Sequence, residues 1–321
     1  MSGLIWNIAG ADEALAVAVV SARSARLGNI GDVLADSRED FALRAVRSQV
    51  LGSVCSDSDV VERWMRESPN DRDALLLYAR TTVARALRSA DGKDERWKQL
   101  ADIAMAACAA AMAAAPNDPT PLVALLSLAR LGHEPQPGPA GSDGLEEITG
   151  PWDLFDRVRE LDPLHREAHI RFLYCLGSDS DRLHFAMHTA NHTPFDSDPQ
   201  LLVLNALVES YRSKTPEERE ESQADRQWLS RHALQYSLDL YENWFPKTRA
   251  RRFPPITDYS YLAHALWAGE RTPQASDVFT AMGPYAVSQP WSAFGEAPRV
   301  LMRARAQCHM GPPSASASGK T

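Results

Sequence analysis

Short proline-bearing phrases cut this chain into helix-length segments, and that punctuation constrains the fold more than any other feature. Ser68-Pro69-Asn70-Asp71, Ala115-Pro116-Asn117-Asp118, Leu161-Asp162-Pro163 and Ser197-Asp198-Pro199 each separate two stretches with apolar residues at helical spacing. Proline fixes φ and lacks an N–H, so a helix does not run through it unbroken, and the neighbouring polar residues can cap the next helix. The first three of these prolines stand 47 residues apart, but this is not a true period. The first interval holds long helices and the second holds an insertion. No convincing series of alternating segments bounded by Asn-Gly or Asp-Gly turns is present. The expected fold is all-α.

The segments can be read in order. Residues 12–36 suggest one or two helices broken near Gly28 and Gly31. Residues 38–54 carry Phe41, Leu43, Val46 and Val50 at helical spacings, and Asp57 or Asp59 can cap a helix bearing Val60, Trp64 and Met65. Helices over 74–90 and 94–115 flank a break at Ala90-Asp91-Gly92. Thr120-Pro121 reads as an N-cap with proline at the first helical position, and that helix ends near Leu131-Gly132. Residues 132–150 hold prolines and glycines that mark a flexible insertion. Further helices are expected at 151–161, 166–176, 179–191 and 199–213. The capping box Thr215-Pro216-Glu217-Glu218 opens another, reaching about Glu242. A connection over 243–257 leads to helices at 258–269, 273–282 and 297–309, then a small, polar, disordered tail at 311–321.

Within this pattern, LFDRVRELDPLHREAHIRFLYCL at 154–176 resembles the junction between consecutive tetratricopeptide repeats. Phe155, Val158, Leu161 and Pro163 look like the end of a second helix, and Ala168, Phe172 and Leu173 like the start of the next first helix. Ala104, Cys108, Ala111 and Pro116 follow the same small-residue rhythm. The resemblance covers roughly residues 60–245. It lacks the family's tryptophan-leucine-glycine-tyrosine signature, and its units exceed the usual length of about 34 residues. It implies a divergent, right-handed α-solenoid of antiparallel helix pairs, with a non-repetitive helical bundle as the alternative. On that reading residues 1–59 pack on the array, 60–245 form it, 246–310 cap it and 311–321 trail from it.

The bulk numbers exclude several functions. Hydrophobic residues make up 44 %, the formal charge is −8 and the pI is about 5.6. An acidic chain of this kind has no global attraction for nucleic acid or an anionic membrane. Cys55, Cys108, Cys175 and Cys308 are scattered, which supports buried thiols over a disulfide framework or zinc site. The first residues show no signal-peptide pattern, and the longest apolar run, Ala104–Ala115, is too short to span a bilayer. The expected location is cytoplasmic. The excess of arginine over lysine, with abundant alanine, resembles the bias of GC-rich bacteria such as actinobacteria.

Few residues suggest chemistry. No phosphate loop, dinucleotide fingerprint or nucleophile elbow occurs. His184, His188 and His192 are spaced by four on one expected helix, whose core stripe would be Leu183, Ala186, Met187 and Ala190. With no further ligand in view, neither a metal nor any other cofactor is expected. The leading expectation is a non-enzymatic scaffold or adaptor that binds a protein or peptide segment in a concave groove. The repeat resemblance implies Arg80, Arg130, Arg171 and Tyr174 as groove residues, with arginine suited to carboxylates. The alternative is an enzyme or small-ligand-binding protein with a pocket in the aromatic region 241–294. There Trp244, Arg249, Arg251 and Arg252 could form an anion-binding aromatic patch, or simply a connection pinned by its rings.

Overall fold

A computed structural model describes residues 3–141 and 144–309. The expected tail at 311–321 lies outside these residues, as do Ser142 and Asp143 of the 132–150 segment. Among the described residues the fold is almost entirely α-helical. The chain forms two compact units, residues 12–191 and residues 3–11 with 192–309.

The first unit opens with α1 (Glu13–Arg23), α2 (Ile30–Ala35), α3 (Phe41–Cys55) and α4 (Val60–Glu67). Then come α5 (Arg72–Asp91), α6 (Trp97–Ala114), α7 (Thr120–Leu128), α8 (Trp152–Leu161), α9 (Arg166–Cys175) and α10 (Asp179–His192). Alternate helices pack in series: α1 on α3, α3 on α5, α5 on α7 and α7 on α9. Aspartates set several starts, since Asp12, Asp40 and Asp71 accept the first free N–H groups of α1, α3 and α5. Alanine lets helices approach closely, and Ala79, Val83, Ala86, Ala104, Ala107, Cys108, Ala111, Ala124 and Leu128 form one core cluster across α5, α6 and α7. Where α3 meets α5, a Cβ on Gly52 would stand only 2.5 Å from Cβ of Arg80.

Several expectations shift here. On α3 the buried residues are Arg44, Ala45, Arg47, Ser48, Leu51, Gly52 and Cys55, while Val46 is exposed. On α10 the core face is Phe185, Ala186, Thr189 and Ala190, and Leu183 and Met187 are exposed. Phe185 turns that helix by packing its ring among Trp152, Phe155 and Phe172. Helix α7 is capped by the Asp118 carboxylate at the Thr120 N–H, not by Thr120 itself. In the 132–150 segment, Gln136 and Gly150 exchange two backbone hydrogen bonds, and Leu145 and Ile148 are buried.

The second unit contains α11 (Leu202–Ser213), α12 (Pro216–Glu221), α13 (Arg231–Asp239), α14 (Phe245–Arg249), α15 (Ile256–Ala268), α16 (Thr272–Met282) and α17 (Ala297–His309). Its only described strands are β1 (Ile5–Trp6) and β2 (Tyr285–Ala286), paired in parallel. Helix α15 is central and packs on α11, α13, α16 and α17. The capping box at Thr215 and Glu218 is present, but α12 stops at Glu221 because Gln223 turns left-handed. The expected connection after Glu242 is helical to Arg249. A π turn over Leu240–Trp244 precedes Pro246, whose ring cannot donate to an α-helical ladder.

Candidate functional site

The polar interior of residues 12–191 is built from arginines in the middle of one helix and acids at the start of another. Arg47 on α3 donates through Nε to Asp12 at 2.8 Å and through Nη1 to Asp36 at 2.9 Å. One turn away, Arg44 donates through Nη2 to Asp73 in the first turn of α5 at 2.8 Å. Its Nε reaches Asp118, whose other oxygen caps α7. On α5, Arg80 holds Glu167 in the first turn of α9 by two parallel bonds of 2.8 and 2.7 Å. Arg171 adds a further bond to Glu167 at 3.1 Å.

Asp12, Asp73, Asp118 and Glu167 all sit where free N–H groups give a helix its positive end, which favours a carboxylate. Burial pushes the Glu167 carboxyl up, but Arg80 and Arg171 outweigh this and hold it down at about 2. Burial also works against the Arg47 charge, and its bonds to Asp12 and Asp36 raise its pKa nonetheless. The nearby imidazoles are kept neutral, since burial lowers the pKa of His165 and pushes His169 down to about 4.

The four expected groove residues therefore differ in kind. Arg80 is only 4 % exposed and both its terminal nitrogens are committed to Glu167. Arg171 shares that acid with its side chain partly exposed. Arg130 lies at the surface and pairs with the exposed Asp91 at 2.9 Å. Tyr174 is exposed on α9. Arg130, in the turn Ala129–Leu131 that follows α7, and Arg171, on α9, both act electrostatically on Cys175. An exposed ion pair is worth only about 0.2–1 kcal/mol, so a ligand carboxylate can compete for Arg130. Breaking a buried pair costs about 3–5 kcal/mol, so the same ligand cannot draw Arg80 from Glu167.

Burial pushes the thiols of Cys55 and Cys108 up to about 12 and those of Cys175 and Cys308 up to about 11, which leaves them poor nucleophiles. On α10, His184 and His192 are exposed and His188 is half-buried. Among the described residues no group of three or more His, Cys, Asp or Glu side chains is placed to hold a metal ion. No helix among them is long and apolar enough to cross a membrane.

In residues 192–309 the expected aromatic and basic patch is largely tied to two acids. Trp244 is buried, and its Nε1 donates to Asp198 at 2.9 Å. Arg251 reaches both oxygens of Asp198, at 2.7 and 3.0 Å, and Lys247 pairs with Asp196. Arg249 lies over Phe245 and Arg252 over Phe253. Asp198 stands at a helix start, as Asp118 does in the other unit.

A second cluster lies around His264 on α15, which sequence reasoning did not single out. Its imidazole stacks on Phe294 at 4.0 Å and meets Trp228, Trp267 and Trp291 edge-on at 5.3, 5.8 and 5.3 Å. Burial alone pushes His264 down to about 3, so the imidazole is neutral. Its Nδ1, the Nε1 of Trp228 and Trp291 and the Oγ of Ser260 are buried without a hydrogen-bond partner. The scattered tryptophans in the sequence hint at an aromatic core, but nothing local foretells that Trp228 and Trp291 converge on one histidine.

These features define an almost entirely α-helical protein with a charge-clamped unit and an aromatic-centred unit. Comparison with protein-family models, curated proteins and solved structures finds no match to this chain.

Proposed function

We propose that this protein is a non-enzymatic scaffold whose residues 12–191 form a tetratricopeptide-like, right-handed α-solenoid that binds an acidic protein or peptide segment. The observation that carries the reading is the serial packing of α3, α5, α7 and α9, each on the next, with α4, α6 and α8 between them in sequence. Such stacking presents corresponding faces of successive helices to one ligand. The proposed contact surface is the exposed Arg130 with Tyr174 and the partly exposed side of Arg171. Arg80 takes no part in it, because its guanidinium joins α5 to α9.

The test is cross-linking capture with full-length wild-type bait and with an Arg130→Ala/Tyr174→Ala bait, read by quantitative mass spectrometry. A defined partner that is enriched on wild type and reduced about tenfold on the folded double variant supports the reading. Equal capture by both baits removes this surface from the account. Absence of any reproducible partner counts against the scaffold function itself.

A further inference from the structure

Helix α1 is the first of the serially packed helices α1, α3, α5, α7 and α9. The end of such a stack ordinarily carries a polar outer face. Between Glu13 and Arg23, however, α1 has only alanine, leucine, valine and one serine. A helix that is apolar all round is ordinarily covered on every side. Here Leu15, Ala18, Val19 and Ala22 are buried against the unit, while Ala14, Val17 and Val20, spaced by three along the opposite side, are exposed. Val17 is 51 % and Val20 63 % exposed, and no large apolar side chain among the described residues is more exposed than Val20. At the two ends of this face Glu13 and Arg23 are also exposed, and neither forms an ion pair among the described residues.

We propose that this face is covered by the same face of a second copy of the chain, with the two α1 helices antiparallel across a two-fold axis. The face is self-complementary in both apolar contact and charge. In an antiparallel pair centred between Val17 and Val20, Val17 of each copy meets Val20 of the other, the reciprocity that a two-fold interface requires. The same register sets Glu13 opposite Ser24 and beside Arg23 of the other copy, so the two ends of the contact each gain an ion pair. The antiparallel direction also opposes the two helix dipoles, whereas a parallel pair would set Glu13 against Glu13 and Arg23 against Arg23. One face of 11 residues is only about 17 Å long and 10 Å wide, so the dimer is weak and forms with rising concentration. None of Arg130, Tyr174 and Arg171 lies on α1, so the pairing stands if the peptide-binding reading fails.

The experiment is sedimentation of the full-length protein at low salt, from micromolar to millimolar concentration. Wild type should pass from monomer to dimer over that range. Val20→Glu should remove the dimer while leaving the helical spectrum and thermal midpoint of the monomer nearly intact, because the position is exposed. Glu13→Arg and Arg23→Glu provide the second readout. Each variant alone sets like charges against one another at both ends of the antiparallel pair, and its dissociation constant should rise about tenfold. An equimolar mixture of the two variants sets opposite charges at both ends, so it should associate about as well as wild type. A protein that stays monomeric at millimolar concentration, or a dimer indifferent to Val20→Glu, would overturn the proposal. A mixture that associates no better than either variant alone would overturn it as well, since that result excludes the antiparallel two-fold.

Discussion

In residues 12–191 the three buried arginines each meet a carboxylate from a different part of the chain, whereas in residues 192–309 the central histidine is walled by aromatic rings with no ionic partner. Both interiors are polar, but they constrain the molecule differently. A paired guanidinium fixes the positions of two helices, and at Arg80 both terminal nitrogens are held by Glu167. A neutral imidazole among unpaired indoles fixes little by direction. The first region therefore holds one sequence-suggested binding residue, Arg80, in a buried ion pair, and the second gathers unpaired polar atoms among aromatic rings.

The largest effect should follow from breaking a clamp with two acids. Arg44→Met leaves Asp118 buried without its cation and Asp73 with only the partly exposed Arg38, and a loss of about 3–5 kcal/mol is expected, read as a collapse of the urea midpoint. Near-wild-type unfolding would show that the seam does not organise α3, α5 and α7.

Next in size is the close approach of α3 to α5. A methyl at Gly52 meets the Arg80 Cβ and backbone, so Gly52→Ala should cost about 1–3 kcal/mol despite its better helix propensity. Stabilisation by this substitution would contradict the packing described.

Acid should then separate the two interiors. His169 and His264 have folded-state values depressed to about 4 and about 3, so the unfolded chain protonates first. Their contribution is complete above about pH 6.5 and declines as pH falls toward those values, by about 1.4 kcal/mol per unit for each histidine. Glu167 has the opposite charge type and the lower window, with its contribution present above about pH 4.3 and lost as pH falls toward 2. Urea midpoints between pH 7.5 and 4.5 should thus fall, and fall less steeply in His169→Phe and in His264→Phe. An unchanged slope in both variants would refute their neutral burial.

The smallest effect is expected at the surface. Arg130→Ala removes only an exposed pair and should change stability by no more than about 0.5 kcal/mol in thermal unfolding. A change as large as that of Arg44→Met would mean that Arg130 is also a clamp.

The helices were legible because caps, prolines and periodic apolar residues are local signals. Expected helices at 258–269, 273–282 and 297–309 correspond closely to α15, α16 and α17. Which face is buried was less legible. Val46 looks like core beside Arg44 and Arg47, yet the arginines turn inward because positions 12, 36, 73 and 118 supply acids that no local pattern links to them. A partial signal existed in the recurring phrases, since Asp118 and Asp198 within them, and Asp73 just after one, become ion-pair hubs. The His264 cluster had no such signal, because its rings come from positions 228, 264, 267, 291 and 294.

The clamp between α5 and α9 is the most direct place to test the central claim that buried arginines hold successive helices together. Urea unfolding of Arg80→Met, Glu167→Met and the double variant isolates the pair from its surroundings. Each single change should cost about 3–5 kcal/mol, Glu167→Met by stranding the buried Arg80 and Arg80→Met by leaving the buried Glu167 with only the partly exposed Arg171, and the double change should recover a large part of that loss. Single variants that unfold like wild type, or a double variant whose loss equals the sum of the two, would contradict the account.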